Sequence, residues 1–226
     1  MIWHDLAVTI QRTSRRKTMC IVVERDGSIS VKVPTDIPDE KVKAILDQKE
    51  YDVFKKYTLW QEANNEHIVR QYVSGQSFMY LGRNYSLSIV DGQKRHLIFR
   101  NGTFFLSSQA TTPREDFIRF YKRQAKIKIL ERVEYLRSRL AVTPQKIQIK
   151  EMPTRWGSCT PSRNVYFNWR CIMFPVFVID YIIVHEFTHL MFADHSRDFW
   201  QKISEVLPDY NYTKDWLTVN GVRADI

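Results

Sequence analysis

Residues 185–195 read HEFTHLMFADH and contain three of the six histidines of the chain. His185 and His189 are four residues apart, which on a helix places both imidazoles on one face, one turn from each other. Two imidazoles in this arrangement can bind a single cation. Glu186 is rotated by about 100° from His185 around the helix, so its carboxylate can reach a water held by that cation without being a ligand. The spacing predicts a metal site on a helix.

A third histidine supplies the ligand that this pair lacks. Catalytic zinc usually has three protein ligands, and His195 follows His189 by six residues. A straight helix would point His195 away from the metal, so we expect the chain to reverse at Asp194 to Ser196. Ser196 would cap a following helix that ends near Val206. Neutral imidazoles suit Zn²⁺, although iron, cobalt and nickel also accept them.

Metzincin proteases have the same histidine spacing in their motif HExxHxxGxxH. Their glycine ends the helix so that the third histidine can turn back. Phe192 occupies the glycine position here, and no methionine follows it in the sequence to form a Met-turn. The sequence therefore argues against a metzincin.

The composition is that of a globular protein. Its 226 residues are 44% hydrophobic and 13% aromatic, with 7 Gly and 8 Pro, which excludes disordered, collagen-like and low-complexity classes. No apolar run of about 18 residues is present, so we expect no transmembrane helix and no membrane partner. The N-terminus lacks the apolar segment of a secretory signal. The three cysteines, Cys20, Cys159 and Cys171, form no CxxC pair, which favours a reducing, cytoplasmic location.

The net charge of +9 is unevenly distributed along the chain. Residues 1–150 contain 27 basic and 16 acidic side chains, whereas residues 151–226 contain 7 and 9. The densest basic stretches are residues 12–17 and 114–139. Such an excess can attract nucleic acid, nucleotides or another polyanion to the basic N-terminal part. A solvated helix face or a charged strand edge would have the same composition.

Hydrophobic periodicity predicts an α+β fold in two parts. The first part, residues 1–110, is a β-rich basic region with a hairpin, a long helix over 39–65 and further strands. Its predicted strands are 6–13, 18–24, 28–33, 78–81, 85–90, 96–99 and 103–106, with turns at Asp26-Gly27 and Asn101-Gly102. The second part, residues 111–226, begins with a helix at Thr112-Pro113. It continues with strands at 145–150 and 164–171 around a loop at 155–163, and with the histidine helices. The boundary is expected between residues 107 and 112.

Several separated motifs together resemble the YgjP-like family of HExxH metal-dependent hydrolases, which is related more distantly to SprT-type proteases. They are RWGSC at 155–159, NWR at 168–170, DYIIVHE at 180–186, HL at 189–190, DHS at 194–196, FW at 199–200 and LPDY at 207–210. The segment YLGRNYSL at 80–87 is also similar. The resemblance spans nearly the whole chain.

This resemblance implies a zincin-like domain in residues 111–226. In it His185, His189 and His195 bind Zn²⁺, and Glu186 activates a zinc-bound water as the base of a metallopeptidase that acts on peptides or proteins. Nucleotide pyrophosphatase activity has also been attached to proteins of this type, so a zinc-dependent nucleoside triphosphate pyrophosphatase is the alternative. A second alternative is a non-catalytic nucleic-acid-binding module with structural zinc. Glu186 argues against it, because structural sites are usually closed by four ligands.

Substrate-binding residues are less clearly marked in the sequence. The developing oxyanion of a peptide bond needs a donor, and the candidates are Arg155, Asn168, Arg197 and Tyr210. Each of them can equally have a structural role. We also expect the strand at 165–169 to line the cleft, where an extended peptide can add to it as a further strand.

Overall fold

The computed structural model describes residues 1–14, 18–23, 28–64, 70–152 and 155–226. Contacts divide the chain into two units, Met1–His67 and Ile68–Ile226. Strands and helices occur largely in separate stretches of each unit, which confirms the predicted α+β class. In the described part of the chain, no helix has both the length and the apolar character needed to cross a membrane.

The first unit is a four-stranded sheet with two helices. Its strands are β1 (Ile2–Trp3), β2 (Leu6–Arg12), β3 (Cys20–Val23) and β4 (Ile29–Val33), in the spatial order β1-β2-β4-β3. Helices α1 (Asp39–Gln48) and α2 (Glu50–Asn64) replace the single helix predicted over 39–65, because the chain leaves helical geometry at Lys49. Trp3, Val31 and Leu46 lie in their common core. The turn predicted at Asp26-Gly27 lies outside the described residues.

The second unit begins with another four-stranded sheet. It consists of β5 (Ser77–Tyr80), β6 (Arg83–Val90), β7 (Leu97–Arg100) and β8 (Thr103–Ser107), in the order β5-β6-β8-β7. Helix α3 (Pro113–Leu140) packs on this sheet: the ring centres of Phe78 and Phe117 are 4.1 Å apart, and Phe104 completes the cluster. The units therefore divide after His67 rather than between residues 107 and 112, because this sheet shares its core with α3.

A three-stranded sheet and three helices complete the second unit. The strands are β9 (Lys146–Lys150), β10 (Gly157–Cys159) and β11 (Asn164–Asn168), followed by a 3-10 helix at Trp169–Met173. The helices are α4 (Val176–Thr188), α5 (Arg197–Val206) and α6 (Tyr210–Asn220), with a 3-10 turn at Gly221–Arg223. β11 is the central strand, antiparallel to β10 and parallel to β9. The sequence predicted neither β10 nor α6.

The hairpin between β5 and β6 fixes the start of α4. The backbone N–H groups of Leu81 and Gly82 donate to the carbonyls of Ile172 and Met173 at 2.9 and 2.7 Å. Gly82 has a φ of +79°, and a Cβ at this position would lie 2.6 Å from Cγ of Pro175. Glycine is therefore required here both by the backbone conformation and by the close approach of Pro175.

An ion pair joins α4 to α3. Nε and Nη2 of Arg132 donate to the two carboxylate oxygens of Asp180 at 2.7 and 2.8 Å. The two side chains are only 17% and 12% exposed. A two-bond pairing of this kind fixes orientation as well as distance, so α4 is held along its length as well as at its start.

The basic excess lies in the middle of the chain, not in the first unit. Residues 1–67 contain 11 basic and 11 acidic side chains, whereas residues 68–150 contain 16 and 5. The expectation of a basic N-terminal part therefore needs correction, because the excess begins only with the β5–β8 sheet and α3. On α3 it is concentrated in the exposed side chains of Arg119, Lys122, Arg123 and Lys126.

Candidate metal centre

The three histidines converge at the end of α4. His185 lies in its last turn, His189 immediately follows its last residue, and His195 returns from the loop before α5. One ring nitrogen of each lies within 4.8 Å of the others. The Nε2 atoms of His185 and His195 are 3.2 Å apart. Two nitrogens bound to one tetrahedral zinc lie about 3.3 Å apart, so this spacing fits such an ion.

The chain reversal that returns His195 is built from local hydrogen bonds. The carbonyl of Thr188 accepts from the backbone N–H of Phe192 at 3.0 Å, which closes the turn after α4. Asp194 then accepts from the backbone N–H of Ser196 at 3.3 Å. The hydroxyl of Ser196 accepts from the backbone N–H of Phe199 at 3.4 Å, so the predicted cap of α5 is confirmed.

A hydrogen bond orients the ring of His189, and burial favours the neutral form of His185 and His195. Nδ1 of His189 lies 3.1 Å from the carbonyl oxygen of Phe192. A carbonyl can only accept, so Nδ1 carries the proton and Nε2 is left free to bind a metal. Burial, with a contribution from the neighbouring His189 and His195, lowers the pKa of His185 to about 3. Burial also lowers the pKa of His195. The donor set therefore fits a divalent ion such as zinc.

Aromatic rings support the third histidine. The ring centre of Phe199 is 4.7 Å from that of His195, and Trp200 stacks on His195 at 5.6 Å. Tyr210, on α6, stacks in turn on Trp200 at 5.5 Å. Residues near the starts of α5 and α6 thus hold the exposed imidazole of His195 in place by packing.

Glu186 is directed away from solvent and lies against the backbone of β10. It is 6% exposed. Its side chain fills the space next to Gly157, where a Cβ would lie 2.6 Å from Cδ of Glu186. Burial raises the pKa of Glu186 to about 8, although the positive charge of Arg155 acts in the opposite direction. The group is a carboxyl poised to exchange a proton near neutral pH.

The histidines and Glu186 line a cleft of about 640 Å³. One wall is the segment 155–161, which contains β10. The other comes from α4, with Ala193, His195 and Leu217 at the end. A cleft of this size fits a ligand of several peptide units better than a single ion.

The wall formed by β10 has a free edge. The carbonyl of Trp156 accepts from the N–H of Asn168 at 2.8 Å, and the N–H of Thr160 donates to the carbonyl of Asn164 at 3.0 Å. Hydrogen-bonded positions alternate along an antiparallel pair, so Gly157 and Cys159 direct their N–H and C=O groups away from β11. The expectation that 165–169 would accept a peptide is corrected, because β11 is paired on both sides.

The four predicted substrate-binding residues have different positions. Arg155 lines the cleft. Asn168 is fully buried: its amide donates to the carbonyls of Met152 and Arg155 at 2.7 and 3.0 Å, and its oxygen accepts from the N–H of Arg170 at 3.1 Å. Arg197 and Tyr210 are not among the residues that line the cleft. Asn168 therefore holds the loop that carries Arg155 and has no polar group left for a ligand.

Tyr181 and Leu217 are among the cleft residues that were not predicted from the sequence. Tyr181 precedes His185 by four residues on α4, and this spacing could have predicted that both side chains lie on the same face of the helix. Burial raises its pKa to about 12, so its hydroxyl stays protonated. Leu217 belongs to α6, whose signal was the spacing of Thr213, Trp216 and Leu217 after Pro208.

A family model described as the YgjP-like metallopeptidase domain matches residues 17–220. The chain belongs to the YgjP-like family. Membership in the YgjP-like family agrees with the three histidines that can hold a metal and supports a hydrolase of the metallopeptidase class. A search of curated proteins found no match.

Proposed function

We propose that the chain is a zinc-dependent metallopeptidase in which His185, His189 and His195 hold the ion and Glu186 is the general base. The observation that carries this proposal is the meeting of three imidazoles with one buried carboxyl in a single cleft. The metallopeptidase match of the family supports it further. The three free cysteines support a cytoplasmic location, since a reducing compartment keeps thiols reduced.

The chemistry divides between the ion and the side chains. When bound, zinc would polarise a water molecule and the scissile carbonyl. Glu186 would accept a proton from the attacking water and deliver it to the leaving amine. The pocket against Gly157 restricts the carboxyl of Glu186 to one region of the cleft. Arg155 is the one of the four predicted donors that lines the cleft, so we propose it as the oxyanion donor in preference to Asn168, Arg197 and Tyr210.

The free edge of β10 would hold the substrate. An extended peptide adds to such an edge through main-chain hydrogen bonds, which need no particular side chain. Gly157 and Cys159 direct their N–H and C=O groups away from β11, and both residues line the cleft that contains Glu186. A peptide added to this edge would therefore run through the same cleft as the three histidines.

The experiment that tests the function compares the zinc-loaded wild type with Glu186→Gln. The variant keeps the shape of the side chain and removes its basicity. We expect stoichiometric zinc in both proteins and a loss of peptide turnover of about 10²- to 10⁴-fold in the variant. Glu205→Gln, an exposed change on α5, is the matched control and should retain full activity. Equal turnover by wild type and Glu186→Gln would refute the mechanism.

The same assay decides between the proposed substrate and a nucleotide. It includes unfolded protein, peptides and nucleoside triphosphates. Cleavage of triphosphates alone, dependent on Glu186, would establish the pyrophosphatase instead. Zinc without any turnover would favour a binding module.

We also propose that any polyanionic partner, such as nucleic acid, binds the exposed basic face of α3. Lys122 and Lys126 lie on this face with Arg119 and Arg123. Replacing Lys122, Arg123 and Lys126 with Gln should weaken binding to a labelled DNA duplex and flatten its salt dependence by about 0.9 for each phosphate that is no longer neutralised. The same number of changes in α1 and α2 is the control, because the first unit is neutral overall. Equal weakening by both sets would exclude α3 as the site.

A further inference from the structure

The acidic and the basic side chain that line the cleft differ in exposure, and exposed Asp194 lies between the lining residues Ala193 and His195. Glu186 is the one acidic residue among the described residues that line it, and its side chain is buried against Gly157. Arg155 lines the same cleft and is exposed. Because the carboxyl of Glu186 is withdrawn from solvent, a ligand entering the cleft would meet the guanidinium of Arg155 first.

A second cation lies at the rim, on α6. Lys214 precedes the cleft residue Leu217 by three positions, so both lie on one face of that helix. Nζ of Lys214 is 4.8 Å from the ring centre of Trp200, and this ring stacks on the ligand His195. The ammonium group is therefore close to the metal ligands.

Some cations of the second unit have a carboxylate partner, whereas Arg155 and Lys214 belong to those for which none is found. Lys202 pairs with Glu205 at 3.1 Å, and Arg170 pairs with Glu151 at 3.0 Å. Within the described part of the chain, neither Arg155 nor Lys214 forms an ion pair with a carboxylate. Two unpaired cations beside a cleft attract an anionic group and repel a cationic one.

The anion that suits this cleft is a carboxylate. A guanidinium binds a carboxylate through two parallel hydrogen bonds, and an ammonium at the rim can add a third. A triphosphate would need a loop of backbone N–H groups, usually rich in glycine. The cleft wall contains a single glycine, Gly157, and Glu186 already fills the space beside it.

We propose that Arg155 and Lys214 form a carboxylate-binding subsite that selects peptides with an acidic group beside the scissile bond. This inference rests on the proposed peptidase function. The group can be the side chain of Asp or Glu, or the free C-terminal carboxylate of the substrate. Both have the same chemistry, and the substrates of the test distinguish them.

The test uses four peptides with one common sequence. Two carry Glu beside the scissile bond and two carry Gln, and each is made with a free or an amidated C-terminus. Turnover is measured with the zinc-loaded full chain as wild type, Arg155→Gln, Lys214→Gln and Lys94→Gln. Lys94 is exposed between β6 and β7 and is the matched control. Binding is measured separately by anisotropy, with labelled peptides and zinc-loaded Glu186→Gln.

We expect the wild type to prefer the acidic peptide by about fivefold in kcat/KM, mainly through KM, as is typical of partly exposed ion pairs. High salt should reduce the preference. Lys214→Gln should lower the ratio between acidic and neutral peptides, and Lys94→Gln should leave it unchanged. Arg155→Gln should lower this ratio and also reduce kcat for every peptide, because Arg155 is also the proposed oxyanion donor. If the peptides with a free C-terminus are preferred, the subsite binds the terminal carboxylate. If the peptides with Glu are preferred, it binds the side-chain carboxylate.

The two ways of failing are distinct. Equal cleavage of all four peptides by the wild type would refute the subsite and leave the peptidase intact. No cleavage of any peptide would refute the proposed function. In that case tighter binding of the acidic peptide to Glu186→Gln, abolished by adding Lys214→Gln, would still support the subsite, and equal binding of all peptides would refute it.

Discussion

The side chain of Glu186 occupies the space in which residue 157 would have its β-carbon. A Cβ built on Gly157 would lie 2.6 Å from Cδ of Glu186. The two residues come from an edge strand and from the helix that carries the first histidine. Gly157 thus determines where the carboxyl lies, although it contributes no chemical group.

Gly157→Ala should therefore impair turnover without removing the metal. The added methyl group would displace the carboxyl of Glu186, and small displacements of a catalytic group cost about 10²-fold. We expect kcat to fall by about that factor, with unchanged zinc content by elemental analysis. Gly92→Ala is the control, since its φ of +72° strains alanine but nothing lies near the new Cβ. It should lower stability and leave kcat unchanged, and a similar kcat loss in both variants would point to general unfolding.

In the zinc-free protein, the burial of Glu186 should make the free energy of unfolding depend on pH. Its pKa rises from 4.5 to about 8 on folding, so the folded metal-free protein holds a proton that the unfolded chain releases. Its stability contribution therefore decreases as pH rises from about 4.5 to about 8. Relative to the wild type, apo Glu186→Gln should become progressively more stable across this range.

Urea unfolding of both apo proteins at several pH values measures the difference. The low pKa of His185 changes stability in the opposite direction, but it is common to both proteins and cancels. Glu205→Gln should show a constant difference from the wild type. A constant difference for Glu186→Gln as well would mean that Glu186 is not buried as an acid.

His195→Ala should strongly weaken zinc binding. Loss of even a hydrogen-bond partner of a ligand costs about 10- to 100-fold in affinity, so loss of a ligand should exceed about 100-fold. Competition with a chelator measures the affinity. His96→Ala is the control. His96 is half-exposed, and its Nδ1 lies 3.3 Å from Oδ2 of Asp116. An unchanged affinity in His195→Ala would remove His195 from the ligand set.

Arg132→Ala should destabilise the protein by about 3 kcal/mol, since it leaves the largely buried carboxylate of Asp180 without its partner. The double change Arg132→Met with Asp180→Leu should recover most of that loss. Denaturant unfolding of the zinc-loaded protein measures both. Arg137→Ala removes an exposed pair with Glu134 on the same helix and should have little effect. Equal losses for Arg132→Ala and Arg137→Ala would contradict the anchoring role.

The grouping of the three histidines could be predicted because they lie within a single short segment. Helix periodicity placed His185 and His189 on one face, and the serine cap accounted for the return of His195. The roles assigned to these residues and to Glu186 stay predictions until the metal is measured. The structural role of Asn168 could not be predicted, because the sequence does not show that its side-chain amide is hydrogen-bonded within the protein.

The parts that the sequence did not predict depend on distant contacts. β10 has only three residues, Gly157–Cys159, without β-branched side chains, and it forms because β11 pairs with it. Helix α6 packs by a few residues such as Thr213 and Leu217, too few for a clear period. The predicted boundary between residues 107 and 112 was wrong because Phe78 and Phe117, which lie on either side of it in the sequence, stack in one core.

The close contact between Gly82 and Pro175 also limits how the gene can recombine and mutate. The β5–β6 hairpin and the start of α4 are about ninety positions apart in the sequence, yet they are joined by this contact and by two backbone hydrogen bonds. A recombination event that delivered residues 111–226 to another scaffold would carry every histidine of the metal centre and leave α4 without its hairpin. Selection should therefore keep the β5–β6 hairpin and residues 111–226 in one gene. Substitutions at position 82 should be tolerated only together with changes at position 175.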